Sequence, residues 1–250
     1  MADKLARMAA LLPDRLYLPL RYVYHSVTKS FDKEIVCAGT LAHPKRRFLD
    51  IGANAGIYSY YFLNRMEAVE AFEPLAECST KLAAISNPSL KIHNVALSDK
   101  AGKLEFHVPI DGKGRLLTTQ ASLEPRIGNS VTRTVDVKRL DDFGFDDVDM
   151  IKIDVEGHEV SVIRGAAQTI SACKPIMVIE IEQRHTQSMI QDIFSEIQAL
   201  GYEGFFFDTD GLKSIRYFNV EIHQTQYLDD IKNPGYVNNF IFRPSSALQG

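Results

Sequence analysis

The segment between residues 48 and 61 combines an apolar strand, a carboxylate, two glycines and the start of a helix. Asp50 lies inside the turn, where Gly52 and Gly56 are four residues apart with Asn54 between them. Glycine permits a sharp turn and a close approach of the backbone to a ligand. The first turn of a helix also leaves N–H groups available to that ligand. The segment therefore predicts a pocket for a nucleotide-like molecule.

The spacing of the glycines differs from that of a dinucleotide site, which has the pattern G-x-G-x-x-G and a pyrophosphate at the helix start. Asp50 would repel a pyrophosphate but attract a cationic ligand, such as the methionine end of S-adenosylmethionine. Glu73 ends the next strand, close to the position of the ribose-binding acid in a Rossmann-like unit. Because a carboxylate can accept two hydrogen bonds, the two acids favour S-adenosylmethionine over an ordinary strand-to-helix connection.

Several motifs in a fixed order connect the chain to a known family. They are D-I-G-A-N-A-G at 50–56, A-F-E-P at 71–74, N-V-A-L-S-D at 94–99 and I-K-I-D-V-E-G-H-E at 151–159. In these motifs the chain resembles the FkbM-type methyltransferases, over about residues 48–182. The resemblance implies a Rossmann-like fold, S-adenosylmethionine as cofactor and methyl transfer to a hydroxyl, often on a sugar or a natural product.

The resemblance also implies where the adenine of the cofactor binds. It places the adenine edge at the end of the third strand, beside Asn94 and Ala96. The backbone N–H of Ala96 would contact the ring and Asp99 would meet the exocyclic amine. The implied cofactor-binding residues are Asp50, Gly52, Asn54, Gly56, Glu73, Asn94, Ala96 and Asp99.

The candidate catalytic residues follow the fourth and fifth strands. Methyl transfer from a sulfonium is an in-line displacement, so the acceptor hydroxyl must be positioned and must lose its proton. Asp154 ends the fourth strand, His158 opens the following helix, and Glu180 ends the fifth strand. His158 is interpreted either as the general base, because histidine exchanges a proton near neutral pH, or as a residue that caps or packs the helix.

Carboxylates at these strand ends also suggest a metal ion. Asp154, Glu180 and Glu182 could bind Mg²⁺ through oxygen, as carboxylates do in related sugar O-methyltransferases with this fold. The alternative is that Asp154 and Glu180 position the acceptor without an ion. His185, three residues after Glu182, is interpreted either as a residue that lines the same site or as a surface residue at the start of a helix.

Strands and helices alternate from residue 48 onward, which predicts a mostly parallel sheet covered by helices. Strands are expected at 48–52, 68–73, 90–97, 148–154, 175–182, 202–208 and 237–243. Helices are expected at 57–66, 75–86, 158–171 and 186–200. The predicted architecture is an α/β Rossmann-like methyltransferase fold with a seven-stranded sheet and helices on both faces. Residues 47–250 form the cofactor-binding domain, in which a β-ribbon near 103–137 is an insertion on the substrate side.

Residues 1–46 are expected to form an N-terminal helical extension. Leu5, Met8, Ala9 and Leu12 share one helical face, and an aromatic-rich stretch follows at 16–24. This segment is interpreted as a lid, a dimer contact, a membrane-surface helix or simply a part of the core. The oligomeric state cannot be inferred from these residues.

The composition is that of an ordinary globular protein, with 45% hydrophobic and 24% charged residues. A net charge of −4 argues against nucleic-acid binding, which relies on clustered cations. No apolar run reaches the length of a membrane span. The three scattered cysteines form no metal-binding pattern, which favours reduced thiols in a cytoplasmic protein.

These observations predict an S-adenosylmethionine-dependent O-methyltransferase that acts on a hydroxyl of a sugar, glycolipid or glycosylated metabolite. One alternative is methylation of a nitrogen or a carboxylate in another small molecule. Enzymes acting on an amino nitrogen commonly carry Asn/Asp-Pro-Pro-aromatic at the fourth strand end, where this chain has Asp154-Val-Glu-Gly. The other alternative is a catalytically silent protein that binds the cofactor as a scaffold.

Overall fold

The computed structural model describes residues 13–124, 129–186 and 188–245. The apolar positions noted between residues 5 and 12 lie outside the described residues. The helices are α1 (Asp14–Thr28), α2 (Lys33–Leu41), α3 (Ile57–Phe62), α4 (Ala76–Ala83), α5 (Glu159–Gly165), α6 (Ala167–Cys173), α7 (Ile190–Ala199) and α8 (Val220–His223). The strands are β1 (Arg47–Ile51), β2 (Ala68–Phe72), β3 (Leu90–His93), β4 (Ala96–Leu97), β5 (Gly102–Pro109), β6 (Ser130–Lys138), β7 (Val148–Ile153), β8 (Ile176–Glu180), β9 (Tyr202–Asp208), β10 (Gly211–Ser214) and β11 (Asn239–Pro244).

The main sheet has the strand order β10-β9-β11-β8-β7-β1-β2-β3. Strands β3, β2, β1, β7 and β8 run parallel to one another, whereas β11 pairs antiparallel with both β8 and β9. The central strands β1 and β7 are almost entirely buried, as expected for parallel strands covered on both faces. Their carboxyl ends therefore meet at one edge of the sheet, where a doubly wound sheet binds its ligands.

The expected seven-stranded sheet has an eighth strand. Strand β10 pairs antiparallel with β9 after a tight turn at residues 209–210. Its sequence is Gly-Leu-Lys-Ser, and Leu212 is half-exposed. An edge strand with one apolar residue has no alternating pattern, which is why the sequence did not predict it.

The expected third strand, over residues 90–97, is divided between two sheets. It leaves the main sheet after His93, and Ala96 then pairs in parallel with Val137 in a small sheet of order β4-β6-β5. The side chain of Asn94 marks the break, because it donates to the carbonyl of Glu73 (3.1 Å) and to Ser79 Oγ (3.0 Å). The predicted ribbon is confirmed as the antiparallel pair β5 and β6.

Helices cover both faces of the main sheet. On one face, Phe48, Met150 and Val178 pack with residues of α2 and α3. On the other, Ile151, Ile153 and Ile179 pack with α5, α6 and α7. The single helix expected at 158–171 is divided at Ala166 into α5 and α6. Just before the division, a side chain on Gly165 would place a Cβ atom 2.0 Å from the Ser98 carbonyl oxygen.

Helix α1 lies against α3 and α4. Leu18, fully buried, joins a cluster with Ala53, Ala71 and Leu82. Within the described parts of the chain, none of the helices is both long enough and apolar enough to cross a membrane.

Candidate active site

The Asp50 carboxylate is buried and organises the turn between β1 and α3. Its Oδ2 atom accepts hydrogen bonds from the backbone N–H (2.9 Å) and the hydroxyl (2.6 Å) of Ser59. Its Oδ1 atom is buried and meets no hydrogen-bond donor among the described residues. Asp50 does not line the neighbouring cleft. The acid predicted to face the ligand therefore holds the start of the helix through one oxygen, and the other oxygen has no hydrogen-bond donor.

Both glycines of the turn have backbone conformations and surroundings that exclude a side chain. Gly52 has φ +80°, and a Cβ atom there would lie 1.8 Å from the Asp154 carbonyl oxygen. Gly56 has φ +83°, and its Cβ would lie 2.7 Å from a methyl carbon of Leu82. Positive φ favours glycine. Both glycines thus make room for neighbouring segments of the protein, and Gly52 also lines the cleft, so the contact of this turn with a ligand stays a prediction.

The Glu73 carboxylate lies at the end of β2, on the wall of the cleft. Oε1 accepts a hydrogen bond from the Leu75 N–H and Oε2 accepts one from the Asn54 N–H, each at 2.9 Å. Burial raises the pKa of Glu73 to about 7, with the charges of Asp50 and Asp154 adding to the effect. Because a carboxylate has about four acceptor positions, Glu73 retains capacity for a ligand.

The cleft extends from the ends of β1, β2 and β7 to the small sheet. Its lining residues are Ile51, Gly52, Asn54, Phe72, Glu73, Pro74, Val95, Ala96, Leu97, Phe106, Thr118, Ala121, Leu123, Asp154, Val155, Glu156 and His158. Phe106, Ala121 and Leu123 belong to the insertion, so the predicted substrate-side segment forms an apolar wall of the same cleft as Glu73 and Ala96. Asp99 and the Asn94 side chain do not line it.

A buried lysine connects the carboxylates at the ends of β1, β7 and β8. Lys152 pairs in register with Asp50 and places Nζ 2.8 Å from Asp154 Oδ2. Burial alone would lower the pKa of Lys152, but the charges of Asp154 and Asp50 outweigh it and the pKa is raised. Asp154 is 29% exposed towards the cleft, and burial raises its pKa despite the neighbouring ammonium group.

The carboxylates expected to bind Mg²⁺ have protein partners. Glu180 Oε1 accepts a hydrogen bond from Asn238 Nδ2 at 2.8 Å, and burial together with the charge of Asp154 raises its pKa well above the usual range. Burial also acts to raise the pKa of Glu182, but bonds from Arg184 (2.6 and 3.1 Å) and the Tyr236 hydroxyl lower it.

The predicted magnesium site therefore finds no support. Over residues 13–124, 129–186 and 188–245, no group of three or more His, Cys, Asp or Glu side chains could hold a metal ion. Arg184 and Tyr236 occupy the Glu182 carboxylate, and Asn238 holds Glu180.

His158 is nearly buried and is engaged at both ring nitrogens. Nδ1 lies 2.7 Å from Glu124 Oε1, and Nε2 lies 2.9 Å from Ser98 Oγ. The contacts connect the start of α5 to the insertion and to the end of β4. This arrangement matches the packing interpretation of His158 more closely than that of a general base, because neither nitrogen is available to an acceptor without displacing a partner.

His185 lies beside the cleft rather than on the outer surface. Its Nδ1 atom is 2.5 Å from Oε2 of the cleft-lining Glu156, and its side chain is only 10% exposed. Glu156 has φ 54°, an uncommon conformation for a residue other than glycine. The Ser122 hydroxyl donates to its carbonyl oxygen at 2.7 Å. The carboxylate–histidine pair is the arrangement that orients an imidazole for proton transfer.

Sequence reasoning missed Lys152, Ser122 and the contact of His185 with Glu156. Lys152 carried a usable signal, because a charged residue stands in an apolar strand two positions before Asp154 and therefore on the same face. Ser122 carried none. The closeness of His185 to Glu182 suggested that it lines the site but did not reveal its partner, because the partners of Ser122 and His185 are more than 25 residues away in the chain.

The strand order and the cleft at the carboxyl ends of its parallel strands define a Rossmann-like methyltransferase fold. The profile of the methyltransferase FkbM domain matches residues 50–203. This chain belongs to the methyltransferase FkbM domain family.

Individual relatives support this assignment. The chain is 29% identical to the 2-O-methyltransferase NoeI of Sinorhizobium fredii (strain NBRC 101917 / NGR234), over 52% of this chain and 61% of the relative. It is 27% identical to the methyltransferase sdnD of Sordaria araneosa, over 49% and 61% respectively. The chain therefore spans about three fifths of the length of these curated relatives.

Among solved structures, the methyltransferase FkbM from Methylobacillus flagellatus KT matches with a TM-score of 0.50. The identity is 18%, and the match covers 79% of this chain and 43% of that chain. At this identity the likeness concerns the fold.

Proposed function

We propose that this chain transfers a methyl group from S-adenosylmethionine to a hydroxyl of a sugar, glycolipid or glycosylated metabolite. The observation that carries the proposal is a single cleft lined by Glu73 at the end of β2 and Asp154 at the end of β7. The first carboxylate suits a ribose and the second suits the reacting centre. The match to a relative named as a 2-O-methyltransferase supports a hydroxyl as the acceptor.

The cleft offers groups that suit the ribose and the adenine of the cofactor. Each oxygen of Glu73 has one backbone partner and can accept one ribose hydroxyl. Phe72, Leu97 and Phe106 offer apolar surface to an adenine ring. We propose that Asn94 and Asp99 hold the shape of the cleft without contacting the cofactor.

The turn after β1 contributes shape and charge. Gly52, Asn54 and Gly56 set the path of the backbone through their positive φ angles, and Ala96 lines the same cleft. One oxygen of Asp50 meets no hydrogen-bond donor among the described residues, and its charge adds to those of Glu73 and Asp154 in favouring a cationic ligand, although Lys152 offsets part of it.

When bound, S-adenosylmethionine supplies a methyl group activated by the positive sulfur. The chain then has to hold the acceptor hydroxyl in line and receive its proton. We propose that Asp154, which reaches the cleft, orients this hydroxyl, and that Glu180 supports it from the adjacent strand end. His158 braces the cleft wall through Glu124 and Ser98.

In this proposal, His185 receives the proton of the acceptor hydroxyl. Its Nδ1 atom is held by Glu156, which leaves Nε2 as the nitrogen that can accept a proton. Glu156 would stabilise the imidazolium that forms, as the carboxylate does in other carboxylate–histidine pairs.

The cofactor part of the proposal is tested by calorimetry with S-adenosylhomocysteine and with NAD. We expect S-adenosylhomocysteine to bind more tightly than NAD. Glu73→Gln should weaken its binding by about 1–3 kcal/mol, the scale of hydrogen bonds to a charged group. The matched control is Glu77→Gln, because Glu77 is exposed on α4 and pairs with Arg133 instead. Equal affinity in both variants would contradict the role given to Glu73.

The acceptor part is tested by mass spectrometry after incubation with S-adenosylmethionine and a panel of methyl glycosides, glycolipids, amines and carboxylic acids. A methyl group on a glycoside or glycolipid hydroxyl is the expected product. A methylated amine or carboxylate as the product would contradict a hydroxyl acceptor and would support methylation of a nitrogen or a carboxylate instead. Tight cofactor binding without any methylated product would favour a silent scaffold.

A further inference from the structure

Lys152 is the buried cation of the candidate active site, and its ammonium group is not fixed by hydrogen bonds alone. Only 4% of the residue is exposed. Within the described ranges Nζ donates one hydrogen bond, to Asp154 Oδ2 at 2.8 Å, although an ammonium group has three donors. The stem of a lysine side chain is flexible. The position of this charge therefore depends on the other groups that surround Nζ.

Three carboxylates attract the Lys152 ammonium group. Burial acts to lower the pKa of Lys152, whereas the charges of Asp154, Asp50 and Glu180 raise it. Asp50 pairs in register with Lys152 on the neighbouring strand, and its Oδ1 atom meets no donor in the described part of the chain. An ammonium group without a further partner could therefore move from Asp154 towards Asp50, and the carboxylate that reaches the cleft would lose its hydrogen bond.

The aromatic ring of Tyr58 is a further partner of this ammonium group. Nζ of Lys152 lies over the ring, 5.3 Å from its centroid, within the distance at which an aromatic face attracts a cation. The attraction is stronger where both groups are removed from water. Burial raises the pKa of Tyr58, and the charges of Asp32 and Asp154 add to the effect. Tyr58 and Asp154 are therefore neighbours of the same ammonium group.

Tyr58 is itself held by the segment that precedes α2. Its hydroxyl donates a hydrogen bond to Asp32 Oδ2, and its ring packs against Phe31 with 6.3 Å between the ring centroids. Asp32 is followed directly by α2, which packs against β7 and β8. Both residues precede the part of the chain that matches the family profile. A series of contacts thus leads from this segment through Tyr58 and Lys152 to Asp154 in the cleft.

We propose that Tyr58 is a positioning residue for methyl transfer. Its ring keeps the Lys152 ammonium group beside Asp154, so that the Asp154 carboxylate keeps one orientation towards the acceptor hydroxyl. Asp32 keeps the ring in place through the hydroxyl of Tyr58. The inference rests on the proposed function, in which Asp154 orients the acceptor. Because Tyr58 does not line the cleft, its effect falls on turnover and not on the binding of the cofactor.

The test compares Tyr58→Leu with Tyr61→Leu as the matched control. Tyr61 lies on the same helix and packs against Phe31 at 4.8 Å, but the cation over its ring is Arg65. Both variants lose an aromatic ring, so both should have a lower thermal midpoint than the parent. Turnover is therefore measured at a temperature below both midpoints, with the acceptor that the parent methylates.

Tyr58→Leu should lower kcat by roughly 10- to 100-fold, the scale of a small misplacement at a reacting group. The KM of the acceptor and the affinity for S-adenosylhomocysteine should stay within about threefold of the parent, because the loss concerns the transition state. Tyr61→Leu should keep kcat within about threefold as well. If Tyr58→Leu does not fold, Tyr58→Met takes its place, because methionine fills the space without an aromatic face.

Two further variants separate the ring from its hydroxyl. Tyr58→Phe retains the ring and Asp32→Ala retains the tyrosine, and both remove the same hydrogen bond. Each should lower kcat, but less than Tyr58→Leu does. A kcat of Tyr58→Leu equal to that of the control overturns the inference and leaves the proposed function intact, and so does a Tyr58→Phe variant that loses as much as Tyr58→Leu. A parent that methylates none of the acceptors in the panel overturns both.

Discussion

His185 Nδ1 lies 2.5 Å from Glu156 Oε2 and thereby connects the loop after β8 to the loop after β7. The contact is supported from two further sides. Gly157 has φ 99° and lies so close to the His185 carbonyl that a Cβ atom would be 2.2 Å from its oxygen, and Ser122 holds the Glu156 carbonyl. Strained backbone persists only where its surroundings fix it. Three segments therefore converge on one histidine–carboxylate pair next to Asp154.

This geometry predicts different outcomes for two histidines. His185→Gln should lower turnover by roughly 10²–10⁴-fold, the contribution of general base catalysis, because the proton acceptor is lost. The affinity for S-adenosylhomocysteine should be retained, since His185 does not line the cofactor cleft. Turnover is measured at saturating cofactor with an acceptor from the panel, and affinity is measured by calorimetry.

The comparison variant is His158→Gln, which removes the bonds to Glu124 and Ser98. If His158 has a structural role, this variant should have a lower thermal midpoint than the parent. The fraction that still folds should have a turnover within about tenfold of the parent. The reverse pattern, with a large loss of turnover in His158→Gln and little in His185→Gln, would assign the role of general base to His158 instead.

The two-glycine turn gives a prediction about stability. Gly52→Ala places a Cβ atom 1.8 Å from a backbone oxygen, so the chain must move as well as adopt an unfavourable φ. We expect a loss of at least about 3 kcal/mol in the free energy of unfolding, together with loss of cofactor binding. Gly114 is the matched control, because its φ of +76° is similar but a Cβ there meets no atom within 4 Å.

Gly114→Ala should therefore cost only the conformational penalty of about 1–2 kcal/mol. Urea unfolding of the two variants measures the difference. Equal losses would show that the positive φ alone explains the glycine at position 52.

The parallel framework and the position of the site could be predicted from local sequence. The buried runs of β1 and β7 and the acids at the strand ends are local signals, and Glu73 and Asp154 do line one cleft. Such signals are reliable because parallel strands are covered on both faces and open their ligand sites at one edge.

The partners of individual side chains could not be predicted in this way. Asp50 faces Ser59 rather than the cleft, and Gly52 packs against the Asp154 carbonyl. His185 reaches Glu156 only because β8 and β7 are neighbours in the sheet. Each of these contacts depends on which segments the fold brings together, and residue types in one segment do not determine that.

A third prediction concerns the pH dependence of stability. Glu159 is buried, and its burial raises the pKa to about 7 from a model-peptide value near 4.5. Because the folded state retains the proton more strongly, the stability that Glu159 contributes is complete below about pH 4.5 and is lost as the pH rises through 7. The loss is about 3 kcal/mol at most, at 1.36 kcal/mol per pKa unit.

Glu159→Gln should remove this dependence. From pH 4.5 to 7 the parent should therefore lose stability that the variant does not lose, so the unfolding free energy of the variant should rise relative to that of the parent. Chemical denaturation across this range provides the measurement. Glu196→Gln is the control, because Glu196 is exposed in an ion pair with Arg164 and surface pairs contribute little. A difference that stays constant with pH would mean that Glu159 does not titrate in this range.

The last prediction concerns Lys152, the buried cation among the carboxylates of Asp50, Asp154 and Glu180. Lys152→Met leaves those charges without compensation, so the free energy of unfolding should fall by about 3–5 kcal/mol, as when one member of a buried ion pair is removed. The double variant Lys152→Met/Asp154→Asn should recover part of the loss, because it removes the charge that Lys152 contacts at 2.8 Å. Lys213→Met, at a solvent-accessible ion pair with Asp208, should cost no more than about 1 kcal/mol. Strictly additive losses in the double variant would show that Lys152 and Asp154 do not stabilise each other.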